Sequence, residues 1–118
     1  MVRAAASARL LLKDGDVEGA CNRSYYAMFD AAHAALLFFG VTADPREIRR
    51  HQTLIGLFGR HLVLPGLVSS DLGKSLNKAE ELRLLADYTG DEVDAATAAW
   101  VVDQADIFIA AVTAHMSR

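Results

Sequence analysis

The stretch from residue 16 to residue 40 reads Asp16-Val-Glu-Gly-Ala-Cys-Asn-Arg-Ser-Tyr25-Tyr-Ala-Met-Phe-Asp-Ala-Ala-His-Ala-Ala-Leu-Leu-Phe-Phe-Gly40. It holds no Pro, and its one internal Gly, Gly19, falls in the first turn. One stripe reads Cys21, Tyr25, Met28, Ala32, Ala35, Phe39, and the next Asn22, Tyr26, Phe29, His33, Leu36. Both follow the three-then-four spacing that keeps side chains on one side of a helix. The spacing predicts a single long helix that starts behind Asp14-Gly15-Asp16 and stops at Gly40, a residue suited to the left-handed turn that ends helices. A helix apolar over more than half its circumference must be surrounded by other helices, and its many Ala residues let them come close.

Working outward, Val2 to Lys13 reads as a helix with Ala5, Ala8, Leu11 and Leu12 on one side. Asp44-Pro45-Arg46-Glu47 is a helix start, with Asp44 as cap and Pro45 at the first helical position. The third helix then carries Ile48, His51, Ile55, Phe58 and Leu62, weakened by Gly56 and Gly59 and broken at Leu64-Pro65-Gly66. Ser70 or Asp71 caps a fourth, with Leu72, Leu76, Ala79, Arg83 and Ala86 in line. Thr89 and Glu92 offer a capping box for a fifth, whose inner side is expected to be Val93, Ala96, Trp100, Ile107, Phe108 and Ala111. No segment alternates as a strand would. The expectation is one all-α domain over residues 1–118, a five-helix antiparallel bundle around a long central helix.

Composition narrows the function classes. The chain has 118 residues, 53% of them hydrophobic, and a formal net charge of −3. That suits one folded domain and excludes a chain that is basic overall. The single Cys, Cys21, allows no intrachain disulfide and reads as core filler. The longest apolar run, Ala31 to Val41, contains His33 and Gly40 and is too short to span a bilayer. No secretory leader is legible, so a cytoplasmic protein is expected. Glu-x-x-His pairs, His-Glu-x-x-His, a glycine-rich phosphate loop and Gly-x-Ser-x-Gly are all missing from the text. The four His are not spaced as ligands, so no metal and no cofactor is expected.

Three features remain. Arg83 shares its stripe with apolar residues and so points inward, where an Arg needs a partner. It is read either as an internal pair with Asp87 or Asp30, or as a fork for a phosphate. Asn22, Tyr25 and Tyr26 read either as core with hydroxyls to satisfy, or as one wall of a polar pocket shared with Arg83. Arg46, Arg49, Arg50, His51, Arg60 and His61 make a local basic patch, read either as a solvated face or as a surface for RNA or phosphate.

Asn22-Arg23-Ser24-Tyr25-Tyr26-Ala27-Met28-Phe29, followed at a distance by Arg83-Leu84-Leu85-Ala86-Asp87-Tyr88, resembles the HEPN domain, in its small stand-alone prokaryotic branch. The resemblance implies a four-to-five-helix bundle, often a homodimer, paired in trans with a minimal nucleotidyltransferase in toxin–antitoxin modules. Many members are metal-independent ribonucleases whose Arg-x(4–6)-His sites meet across the dimer. Here no His follows Arg83 until His115, and Leu84 stands where catalytic members carry a polar residue. Arg46 and His51 match Arg-x4-His in letters, but ahead of the family's position. Together with the residue readings above, the expectation is a non-catalytic or catalytically reduced module that binds nucleotide, RNA or a transferase through Asn22, Tyr26 and Arg83, with Arg49 and Arg50 of the basic patch. The alternatives are an endoribonuclease using Arg46 with His51 or Arg83 with Asp87, and a purely structural subunit. Tyr88, close to Arg83, is a candidate for adenylylation by the partner transferase.

Overall fold

A computed structural model describes residues 2–89 and 93–116, with the side chains of Val2, Tyr88 and Thr89 outside the description. Among the described residues there are six α-helices and no strand. They are α1 (Val2–Lys13), α2 (Val17–Phe38), α3 (Pro45–Ile48), α4 (His51–Phe58), α5 (Ser70–Leu84) and α6 (Ala95–Met116). The all-α class and the long central helix hold.

The central helix is fixed at both ends by local chemistry. The Asp16 carboxylate accepts the Gly19 amide at 2.9 Å, which satisfies one of the donors left open in a first turn. At the far end Gly40 takes φ +77°, and the Val41 amide reaches back to the Leu36 carbonyl at 2.9 Å. Between them Cys21, Tyr25, Met28, Ala31, Ala32, Ala35 and Leu36 are sealed from solvent. Helices α1, α4, α5 and α6 all pack against α2. Small side chains set the distances: Ala8 of α1, Ala20 of α2 and Val102 of α6 meet in one cluster.

Three expectations need correction. The third helix is two helices: after Asp44 caps α3, the chain turns at Arg49, and Arg50 is extended at ψ 128° before α4 begins at His51. The break falls at the paired arginines and not at Gly56 or Gly59, because only Ile48 of that first turn is buried to hold it. The cap of α5 is Ser69, one residue earlier than expected, whose hydroxyl accepts the Asp71 amide. On α6 the inner face is Ala98, Val101, Val102, Ala105, Phe108 and Val112, whereas Trp100 and Ile107 are 41% and 54% exposed and Ala96 is exposed. A helix apolar on nearly every side gives periodicity little to choose between. Ala98, Val101, Val102 and Ala105 make up most of the buried face, Phe108 packs against Phe58 of α4, and Trp100 and Ile107 are left outside. The Thr89–Glu92 capping box lies outside the described residues. The Asp94 carboxylate accepts the Thr97 amide at 2.6 Å at the start of α6, a bond that lowers its pKa.

Helices α4 and α5 each run on into a π-helical turn, Gly59–Val63 and Leu85–Thr89. Such turns are uncommon and often mark places where a helix serves a function. The second carries Asp87 past Arg83.

Candidate functional site

The inward face of α5 runs through Leu72, Ser75, Leu76 and Ala79 to Glu80 and Arg83, and these two charged residues are buried, at 5% and 6% exposure. Their burial is tolerable because they face each other. Arg83 Nε and Nη2 donate to both Glu80 oxygens at 3.2–3.3 Å. Burial works against the guanidinium's charge, but Glu80 outweighs it and the Arg83 pKa is raised. Its carbon lies 5.0 Å from the centre of the Tyr25 ring and 5.7 Å from that of Tyr26. These are cation–π distances, and desolvation strengthens such contacts.

From this floor the cluster climbs toward the surface. Arg83 Nη1 faces Asp87 Oδ2 at 3.5 Å, and Asn22 Nδ2 donates to the same oxygen at 3.3 Å. On the other side the Tyr25 hydroxyl lies 2.6 Å from His51 Nδ1. The rings of Tyr25, Tyr26 and Phe29 surround the imidazole, with centroids 5.4, 5.8 and 5.0 Å away. Burial first, and then the Glu80 carboxylate, pushes the Tyr25 phenol far above its ordinary pKa, against the pull of Arg83. The phenol therefore keeps its proton, and it shares a hydrogen bond with Nδ1 whose direction follows the imidazole's tautomer. Asn22, Tyr26, His51 and Asp87 form the accessible rim; Tyr25, Glu80 and Arg83 form the floor.

The structure thus brings Asn22, Tyr26, Arg83, Asp87 and His51 together from α2, α4, α5 and the π turn behind it. It leaves Arg46, Arg49, Arg50, Arg60 and His61 exposed on the surface. Arg49 lines a separate small groove of about 250 Å³ with His33 and Ile48. Arg46 lies on α3, whereas His51 turns into the aromatic cluster. The Tyr88 side chain lies outside the described residues. Sequence reasoning missed Glu80, the closest partner of Arg83, because it weighed Asp87 and Asp30; the spacing of three residues to Arg83 was the available signal. It also missed the Tyr25–His51 bond, which joins α2 to α4 and has no signature in spacing. Cys21 is buried beside this cluster. Burial, with the charges of Asp87 and Glu18, pushes its thiol up to about 11, so it is no ready nucleophile. A groove of about 750 Å³ lies elsewhere, between α1 and α6, lined by four Ala, Ile109, Thr113 and the Arg9–Asp106 ion pair.

An all-α bundle whose central helix presents paired tyrosines to a buried arginine is the class that fold and cluster define. The chain belongs to the HEPN domain family, whose model matches residues 3–115. It is 37% identical over 84 residues to a UPF0332 protein of Gloeobacter violaceus, covering 71% of this chain and 63% of that protein. It is 37% identical over 81 residues to a UPF0332 protein of Thermotoga maritima, covering 69% of this chain and 58% of the relative. To a Methanocaldococcus jannaschii protein named "putative toxin" it is 29% identical over 104 residues, 88% of this chain and 74% of that protein. The chain therefore spans less than two thirds of the length of the two UPF0332 relatives.

Proposed function

We propose that this chain is the HEPN module of a toxin–antitoxin pair and that it binds phosphate-bearing ligands, nucleotide or RNA, at the Asn22–Tyr26–Arg83 cluster. The observation that carries the reading is Arg83 itself: a buried guanidinium stacked on two tyrosines and linked through Asp87 to an accessible Asn22. A helical subunit with a purely structural role has no need of a polar rim over such a charge. The toxin side draws on the name of the Methanocaldococcus relative. A homodimer, a minimal nucleotidyltransferase partner in trans and a cytoplasmic site of action complete the reading, on the strength of the family. Tyr88 remains the proposed adenylylation acceptor, tested by mass spectrometry after co-expression with a transferase. An unmodified Tyr88 contradicts it.

One observation favours a second reading, a metal-independent endoribonuclease. His51 reaches the arginine's cluster through Tyr25, so an imidazole and a guanidinium share one site without sharing a motif. An imidazole can move the proton of a ribose hydroxyl, and a guanidinium can stabilise a phosphorane. RNA cleavage and RNA binding, measured with wild type, His51→Ala and Asn22→Ala, separate the two. Binding without cleavage, weakened by Asn22→Ala, supports the module. Cleavage abolished by His51→Ala in a folded protein supports the nuclease. Wild type that neither binds nor cuts overturns both.

A further inference from the structure

The two edges of the Arg83 guanidinium are held very differently. Glu80 closes the Nε–Nη2 edge with two oxygens, wholly inside the protein. On the other side Nη1 faces Asp87 at 3.5 Å, its ion-pair partner there among the described residues, and the Asp87 side chain is 33% exposed. Asp87 Oδ2 is at the same time the acceptor for Asn22 Nδ2, at 3.3 Å. Two donors from different helices thus converge on one anionic oxygen, and both distances are long for charge-assisted contacts. The residue that supplies this oxygen sits in the π-helical turn Leu85–Thr89, where the regular ladder of α5 has ended. A carboxylate oxygen between an amide donor and a guanidinium stands where an oxygen of a phosphoryl group would stand.

We propose that the gap between Asn22 Nδ2 and Arg83 Nη1 is a phosphoryl-oxygen subsite, and that Asp87 fills it as an autoinhibitory latch that a ligand must displace. The inference rests on reading the cluster as phosphate-binding and adds how that site is controlled. With Asp87 in place, Arg83, Glu80 and Asp87 sum to one negative charge, which repels phosphate. With Asp87 swung out on its turn, Arg83 and Glu80 balance, and two donors are left facing the rim. The latch keeps the pocket shut to abundant small anions and yields to a ligand that also gains contacts with Tyr26 and His51.

Calorimetric titration with AMP and with inorganic phosphate tests this on wild type, Asp87→Ala, Asp87→Asn and Asp30→Asn. Circular dichroism reports that each is folded. Asp30 is an exposed carboxylate on the same central helix and measures the effect of net charge alone. The latch predicts that Asp87→Ala tightens AMP binding at least tenfold, with Asp87→Asn intermediate and Asp30→Asn changing it less than threefold. Tightening for AMP but not for inorganic phosphate places the rest of the ligand on the rim; equal tightening assigns the site to the phosphoryl group alone. Both support the latch. Unchanged or weaker binding in Asp87→Ala overturns the latch alone, as does equal tightening by Asp30→Asn. No binding by any of the four overturns the phosphate site, and the latch with it.

Discussion

At the scale of single residues the protein's economy centres on Glu80 and Arg83. Each would be prohibitive to bury alone, and together they are tolerated. Arg83→Met leaves a buried carboxylate without its partner and should cost about 3–5 kcal/mol in urea unfolding. Arg83→Met with Glu80→Leu should recover most of that loss; if the double variant is no better than the single, the pair is not the reason for the cost. Tyr25 gives a pH signature. Its folded pKa lies above the ordinary 10.0, so the folded state holds the proton more tightly than the unfolded chain. The stability this brings is complete below about pH 10 and is lost as the pH rises beyond it. Cys21, at about 11 against an ordinary 9.0, adds to the same alkaline limb. Unfolding curves measured from pH 8 upward should fall on this limb, and Tyr25→Phe should flatten it. An equally steep limb in that variant contradicts the assignment. The inward Arg83 was legible because five positions at helical spacing allow no other face. Asp87 was among the partners expected and does face it; the closer one, Glu80, was not legible, because several carboxylates lay within reach of a sequence argument.

At the scale of elements, the termini were more legible than the faces. Asp16, Gly40 and Asp44 do in the structure what their chemistry dictates in any chain, since caps and left-handed turns are local. The faces of α6 depend on what packs against it, and no periodicity encodes that when Ala, Val, Ile and Trp share every side. The break before His51 was likewise hidden: it comes from what little α3 buries, not from a breaker residue. Gly19 supplies a test of the central helix. Ala ordinarily stabilises a helix interior by about 1 kcal/mol over Gly. A Cβ at Gly19, however, would collide with the Asp16 carboxylate that caps the helix. Gly19→Ala should therefore show no gain in melting temperature, and in the Asp16→Ala background the usual gain should appear. A full gain from Gly19→Ala alone would contradict the cap.

At the scale of the whole molecule, α2 is held at short range by alanines, and the site inherits its geometry from that. Ala20 is sealed where α1, α2 and α6 meet. Ala20→Leu should force those helices apart and cost about 1–3 kcal/mol, read by thermal unfolding. A neutral effect would mean the helices have room that the structure denies them. The same close packing fixes Asn22, Tyr25 and Tyr26 against α4 and α5. That is how a ring on α2 comes to touch His51 and cover Arg83. The family was readable from the two strings on α2 and α5. The convergence of His51 with them was not, because it is a property of three packed helices.

The central claim is that ligand meets this protein at the rim above Arg83. Amide and arginine side-chain resonances, followed by NMR while single-stranded RNA is added, test it most directly. The account predicts the largest shifts at Asn22, Tyr26, His51 and Asp87 and at the Arg83 Nε–H. Shifts confined to Arg46 of α3 and the Arg49–Arg50 turn, with the Arg83 signal unmoved, would contradict it.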